Sequence, residues 1–146
     1  MRVLFLDIDG VLNRTGFFPQ ATVGMRSWIE PELAARLVAI LETIDAKIVL
    51  STSWRIDSSL DELRAELHAS GIDGSWLLDM TPDLPDDERW PEIDAWMKQH
   101  AIAPADAVIL EDFYEMGPLT ARTVMTDPDH GLDEAAASAI VALFAA

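Results

Sequence analysis

The chain has 146 residues, half of them hydrophobic, and a formal net charge of −16. This length predicts one domain (1–146) with a substantial core, and the apolar content excludes a disordered chain despite the charge. Cysteine is absent, which excludes disulfides and thiolate chemistry and fits a reducing cytoplasm, where we expect the protein to be located.

Two further features narrow the class of partner. No apolar run approaches the roughly 18–20 residues that cross a membrane, and the N-terminus lacks the basic region of a signal peptide, so no membrane partner is expected. The acidic charge favours metal cations and disfavours nucleic acid, because a phosphate backbone is repelled unless basic residues gather locally.

The first predicted element is a strand, Val3–Leu6, which leads into two acids. Its continuous apolar run is typical of a strand buried on both faces in a parallel sheet. Asp7 then lies at the carboxyl end of the strand, where open α/β sheets bind their ligands, and Asp9 can point the same way before Gly10 turns the chain. Two converging carboxylates indicate a bound cation, a nucleophile paired with an acid, or both; the alternative is a solvated turn.

The rest of the chain alternates between helix and strand patterns. Apolar residues at helical spacing and Pro31 in a first turn mark one helix, and Glu62 completes a capping box with Ser59 in the next. The predicted elements are, in order, a loop or small hairpin (13–28), a helix from Pro31 to about Ile44, a strand (47–50), a helix capped by Ser58 or Ser59 and stopped by Gly71, a strand (76–78), a surface loop (79–87), a helix (89–100), two strands (107–110 and 122–125) and a helix from about Asp133. This alternation predicts one Rossmann-like α/β domain with a five-stranded, mainly parallel sheet between helix layers and no large cap.

Polar side chains follow four of the five predicted strands. Hydroxyls at Ser51, Thr52 and Ser53 can donate to phosphate oxygens, although such residues also cap helices. Glu111 and Asp112 end the fourth strand, and the alternative there is a solvated acidic strand end. The recurrence of polar strand ends predicts a phosphate and metal site at one edge of the sheet.

The segment Leu6–Leu12 resembles the first motif of the haloacid dehalogenase (HAD) superfamily, whose members are mostly Mg²⁺-dependent phosphohydrolases. Thr52 best matches the second motif, with Ser53 close behind. Trp54-Arg55 resembles a capless subgroup, the HAD domain of Swiss-army-knife RNA repair proteins. Glu111-Asp112 resembles the acidic fourth motif, which usually reads Asp-Asp.

The third motif of the superfamily is a lysine or arginine, and two residues compete for it. Arg89 matches the subgroup's arginine at the start of a helix, whereas Lys98 stands late on that helix, on a face expected to be solvated. A basic residue is required because several carboxylates and a phosphoryl group exceed the charge that one Mg²⁺ supplies.

The resemblance implies a role for each site residue. Asp7 would be the nucleophile that forms an aspartyl-phosphate, Asp9 the general acid and base, and Arg89 the catalytic cation. The residues implied in substrate binding are Thr52, Ser53 and Arg55, and those implied in holding Mg²⁺ are Asp7, Asp112, the backbone carbonyl of Asp9 and, in an outer-sphere contact, Glu111.

A capless site is open, which suits a phosphate on a large molecule such as a nucleic acid end or a protein. Four arginines are candidates for a local basic rim: Arg14, Arg26, Arg55 and Arg89. Two alternatives from other classes stay open here. One is a catalytically weak phosphate-sensing or protein-interaction domain, because Glu111 departs from the motif; the other is a sugar transferase, for which the chain is short. Residues 126–132 resemble a loop of the same subgroup and are expected to form a plain turn.

Overall fold

A computed structural model describes residues 1–21, 23–85 and 87–145 of the chain. Five strands form one sheet in the order β3-β2-β1-β4-β5, and every neighbouring pair is parallel. The strands are β1 (Arg2–Leu6), β2 (Ala46–Leu50), β3 (Leu77–Met80), β4 (Ala107–Glu111) and β5 (Thr123–Met125). The predicted Rossmann-like α/β fold is therefore confirmed.

Helices cover both faces of the sheet. They are α1 (Pro31–Ile44), α2 (Leu60–Ala69), α3 (Trp90–Gln99) and α4 (Glu134–Phe144). Leu4 and Leu6 of β1 pack in the core that contains α1, α2 and α4, whereas Val3 and Phe5 pack in a second core formed with α3. Because side chains alternate along a strand, a β1 that is covered on both faces needs the unbroken apolar run seen in its sequence.

The register of the three central strands sets the level at which they end. Leu6 of β1 lies opposite Leu50 of β2 and Leu110 of β4. The next residue of each strand therefore stands at one edge of the sheet: Asp7, Ser51 and Glu111. Backbone hydrogen bonds continue past this level, from the amide of Ser51 to Leu6 at 2.9 Å and from that of Asp7 to Leu110 at 3.2 Å.

Two strands begin later than the sequence pattern predicted. A 3-10 turn (Gly74–Trp76), capped by Asp73, delays β3 to Leu77, and the strand then continues to Met80. A longer 3-10 segment (Gly117–Arg122) includes Arg122, which was predicted as the first residue of the fifth strand, so that β5 begins at Thr123. Such short helices lack the apolar period that identifies longer elements.

The segment between β1 and α1 contains a 3-10 turn (Met25–Trp28) and, over residues 13–21 and 23–28, no strand, so its described part is a loop rather than a hairpin. Part of the predicted surface loop 79–87, Asp86, lies outside the described residues. In the portion of the chain that the structure covers, no helix has the length and apolar character that crossing a bilayer requires.

The start of α2 follows the predicted capping box. The Ser59 hydroxyl accepts from the Glu62 amide at 3.1 Å, and the Glu62 carboxylate accepts from the Ser59 amide at 3.2 Å. Two amides that a helix N-terminus leaves free are satisfied in this way.

Replacing Ser59 with alanine should lower the free energy of unfolding by about 1 kcal/mol, because the Glu62 amide loses its acceptor. Urea denaturation measures the change. The matched control is Ser75→Ala, an exposed serine in a 3-10 turn, which should stay within about 0.5 kcal/mol of wild type. Equal effects of the two substitutions would contradict the capping role.

Candidate active site

Three carboxylates meet where β1 and β4 end. One oxygen from each of Asp7, Glu111 and Asp112 lies within 4.8 Å of the others. Glu111 is fully buried, Asp7 is 7% exposed and Asp112 is half-buried. The level ends of the two strands bring Asp7 and Glu111 together, and the chain leaving β4 adds Asp112.

Burial and mutual repulsion change how this carboxylate cluster (Asp7, Glu111 and Asp112) titrates. Burial, together with the negative charge of Asp7, raises the pKa of Glu111 to about 9. Burial also raises the pKa of Asp112. Three adjacent carboxylates resist full ionisation in a poorly solvated site unless a cation compensates them.

The donor set fits a Mg²⁺ ion. Glu111 Oε1 accepts from the backbone amides of Asp112 at 3.1 Å and Phe113 at 3.4 Å. Its buried Oε2 has no hydrogen-bond partner among the described residues. A buried, uncommitted carboxylate oxygen beside two more carboxylates is the type of ligand that hard cations bind. Glu111, expected in an outer-sphere contact, thus has an oxygen free for direct coordination.

Gly10 allows the loop after β1 to approach the cluster closely. Its φ is +78°, and a Cβ at this position would lie 2.0 Å from Asp112 Oδ2. Any other residue would combine backbone strain with displacement of the Asp112 carboxylate. The sharp turn predicted at Gly10 is therefore also a packing requirement of the site.

The segment 126–132 supports the same loop. The Thr126 hydroxyl donates to the Gly10 carbonyl at 2.8 Å, and the Leu132 amide donates to the Val11 carbonyl at 2.7 Å. The amide of Thr15 in turn donates to Pro128 at 3.0 Å. The segment contains the expected turn, at residues 128–130, and it also braces the loop that carries Asp9.

Asp9 is exposed, and both of its carboxylate oxygens are held by side-chain donors. Oδ1 accepts from Asn13 Nδ2 at 3.0 Å, and Oδ2 accepts from Trp54 Nε1 at 3.1 Å. The Gly10 amide donates to Asn13 Oδ1 at 2.9 Å, which fixes the orientation of the Asn13 amide group because a backbone N–H can only donate. Asn13 and Trp54 were not predicted as site residues, although both lie next to the motifs.

The hydroxyls after β2 differ in environment. Thr52 is fully buried, and its Oγ1 accepts from the Trp54 amide at 3.4 Å, while Ser53 is exposed at the start of a 3-10 turn (Ser53–Arg55). Ser51 Oγ is buried and has no partner within the described ranges. All three follow the strand that borders β1 on the side away from β4.

Arg55 faces the interior, which differs from the expected role in substrate binding. Its guanidinium donates to the carbonyls of Thr52 at 2.8 Å, Thr81 at 3.0 Å and Pro82 at 3.2 Å. It also forms an ion pair with Glu92 of α3 at 2.8 Å, and both side chains are buried. Arg55 therefore ties the turn after β2 to the loop after β3 and to α3, with its donors directed at the protein.

The two candidate basic residues, Arg89 and Lys98, have different environments. Arg89 is 8% exposed, lies over the Tyr114 ring at 4.8 Å, and lines a pocket together with Ser53. Its Nη1 has no hydrogen-bond partner in the described residues. Lys98 is largely exposed and pairs with Asp94 at 2.7 Å.

The candidate basic rim is neutralised by acids. Besides the inward-facing Arg55, Arg14 pairs with Glu30 at 2.9 Å and Arg26 pairs with Glu66 at 3.4 Å. The rim proposed from the sequence is therefore not a surface of free cations, because glutamates that are distant in sequence fold against these arginines.

One family model matches the chain over residues 3–137. It describes the HAD domain in Swiss Army Knife RNA repair proteins. The match includes every motif residue considered above, from Asp7 to Asp112, and the brace segment 126–132. No curated protein sequence matches the chain significantly.

The raised pKa of Glu111 predicts how the metal-free protein responds to pH. Between about pH 4.5 and about pH 9 the folded protein retains a proton that the unfolded chain releases, so stability should be highest below this window and fall as pH rises through it. The contribution of Glu111 to the slope of the free energy of unfolding should reach at most about 1.4 kcal/mol per pH unit, the value for one proton.

Glu111→Gln removes this titration and should flatten the pH dependence over the same window. Urea denaturation in the presence of a chelator measures both proteins at several pH values. Glu42→Gln, an exposed glutamate of α1, is the matched control and should keep the wild-type slope. A slope that persists unchanged in Glu111→Gln would contradict the assignment.

Proposed function

We propose that this chain, which belongs to the family of HAD domains found in Swiss Army Knife RNA repair proteins, is a Mg²⁺-dependent phosphohydrolase. It would hydrolyse phosphate monoesters through an aspartyl-phosphate on Asp7. The observation that carries the proposal is the buried carboxylate cluster at the carboxyl edge of a parallel sheet, with Asp9 two residues beyond the nucleophile. Such an edge is where α/β domains bind their ligands.

Asp7, Glu111 and Asp112, with the backbone carbonyl of Asp9, are the groups that would hold Mg²⁺. Bound there, the ion would offset the negative charge of the cluster and polarise the phosphoryl oxygens. The buried Glu111 oxygen without a described partner and the raised pKa values of Glu111 and Asp112 support this assignment.

In the first chemical step, a carboxylate oxygen of Asp7 attacks phosphorus and the bond from phosphorus to the leaving oxygen breaks. The Ile8 amide donates to Asp7 Oδ1 at 2.9 Å, which restricts rotation of the nucleophile. Asp9, in its protonated form, gives its proton to the leaving oxygen so that an alcohol departs instead of an alkoxide.

In the second step, water attacks the phosphorus of the aspartyl-phosphate. Asp9, now a carboxylate, takes a proton from that water, and the carboxylate of Asp7 is released together with inorganic phosphate. One residue can serve both steps because the first leaves it in the ionisation state that the second requires.

Donors from two segments, the turn after β2 and the start of α3, would contact the phosphoryl oxygens. Thr52 and Ser53 supply hydroxyls, and Arg89 supplies the guanidinium nitrogen that has no described partner. We assign Arg55 an anchoring role instead, since its donors contact backbone carbonyls and Glu92.

The substrate class follows from the open site and the family. A phosphate at the end of an RNA strand is the proposed substrate, since the matching family is described from RNA repair proteins and no inserted cap encloses the described part of the site. The net charge of −16 favours contact with a strand end over binding along a backbone. Glu111 prompted the alternative of a weak phosphate sensor, and its place within the cluster supports catalysis instead.

Replacing Asp7 with asparagine should abolish turnover and leave the fold intact, because the amide has nearly the same shape and cannot attack phosphorus. The assay is phosphate release from small metabolites, 3′- and 5′-phosphorylated oligonucleotides and phosphopeptides. Asp94→Asn, which alters the partly exposed partner of Lys98 on α3, is the matched control and should keep wild-type rates. Activity of Asp7→Asn within about tenfold of wild type, without deamidation, would exclude the covalent mechanism.

The metal assignment predicts that Asp112→Ala and Glu111→Ala each weaken Mg²⁺ binding by more than about tenfold, because each loses a charged ligand of a hard cation. Glu111→Asp keeps the charge with a shorter reach and should stay within about tenfold. Calorimetric Mg²⁺ titration separates these variants, with Asp94→Ala as the control. If only Asp112→Ala loses binding, Glu111 has the outer-sphere role instead.

A further inference from the structure

We infer that Trp54, together with Asn13, positions the Asp9 carboxyl group for proton transfer. The inference rests on the proposed function, since it concerns the residue proposed as general acid and base. It assigns a role to a side chain that the motifs of the site leave without one.

The contacts hold Asp9 from two sides. The indole Nε1 of Trp54 donates to Oδ2 at 3.1 Å, and Asn13 Nδ2 donates to Oδ1 at 3.0 Å and also to the Trp28 carbonyl at 2.9 Å. Asp9 lies on an exposed turn and would otherwise sample several rotamers. Two donors from separate segments select one orientation of its carboxyl plane.

The indole is suited to this task because it is a donor only and has no ionisable proton near neutral pH. It therefore orients the carboxyl group without competing for the proton that is transferred. Each oxygen of Asp9 accepts one hydrogen bond and retains a second lone pair, so the proton can reside on either oxygen while both contacts persist.

Trp54 is itself fixed by its turn. Its amide donates to Thr52 Oγ1 at 3.4 Å, and its carbonyl accepts from the Ser58 hydroxyl at 3.3 Å. The next residue, Arg55, is buried and anchored to the loop after β3 and to Glu92. Arg55 therefore anchors the turn, and Trp54, the residue before it, directs its indole N–H at the proposed general acid.

Trp54→Phe keeps the aromatic ring and deletes the N–H. If Trp54 positions the acid, kcat/KM for an alkyl phosphate should fall by at least about tenfold, since misplacement of a catalytic group by about 1 Å can cost 10²-fold. For an aryl phosphate, whose leaving group needs little protonation, kcat/KM should fall less than about threefold. The loss for the alkyl ester should appear in kcat, with KM nearly unchanged.

A second arm repeats the substitution in an Asp9→Asn background. There is then no acid to position, so adding Trp54→Phe should change kcat/KM for the alkyl ester by less than about twofold. The matched control is Trp76→Phe, which alters a partly buried tryptophan at the opposite end of the sheet and should leave the ratio of the two esters at the wild-type value. Equal losses on both esters, or a loss that persists without Asp9, would mean that Trp54 is only structural.

A spectroscopic arm requires no turnover. The indole Nε1–H resonance of Trp54 in ¹⁵N-labelled protein, assigned by its loss in Trp54→Phe, should shift and exchange faster with solvent in Asp9→Ala. An unchanged resonance would overturn the inference by itself. If wild type hydrolyses neither these esters nor the phosphorylated oligonucleotides, the proposed function fails, while the resonance still decides whether Trp54 holds the carboxyl group.

Discussion

Repulsion among buried carboxylates is the constraint around which this domain is arranged. Three parallel strands end at one level, and two of them deliver Asp7 and Glu111 to a place where water solvates them poorly. Backbone amides that donate to Glu111 Oε1 offset part of the cost of burying these charges. Gly10 leaves room for the Asp112 carboxylate, which a larger side chain there would displace. The proposed Mg²⁺ would compensate the remaining negative charge, next to the Asp7 carboxylate that we propose as the nucleophile.

Hydrogen bonds and one buried ion pair fix the loops at the carboxyl edge of the sheet, and with them the side chains of the candidate site. The loop after β1 is held by Asn13 from within and by Thr126 and Leu132 from the other end of the chain. The turn after β2 is anchored by the buried pair of Arg55 and Glu92, which also brings α3, and with it Arg89, into fixed relation with that turn. Loss of one partner from such a pair leaves an uncompensated buried charge, so both residues are expected to be intolerant of substitution.

The sequence was sufficient for the fold because each element has its own period or cap: the unbroken run of β1, the capping box of α2 and the polar strand ends are local signals. The polar strand ends placed Asp7, Glu111 and Asp112 at one edge by the same logic. The sequence patterns did not predict contacts between segments that are distant along the chain. The indole bond to Asp9 spans 45 residues, and the inward turn of Arg55 depends on Glu92, whose burial no periodicity indicates.

The brace formed by residues 126–132 has a consequence for the order in which the protein is made. The hydrogen bond from Thr126 to Gly10 joins residues 116 positions apart, and Leu132 reaches back to Val11 in the same way. During synthesis of this domain the ribosome therefore delivers the acidic loop long before the residues that support it. The loop that carries Asp9 therefore lacks this brace for nearly the whole of the domain's synthesis, and the geometry of the candidate site is completed only as translation of the domain nears its end.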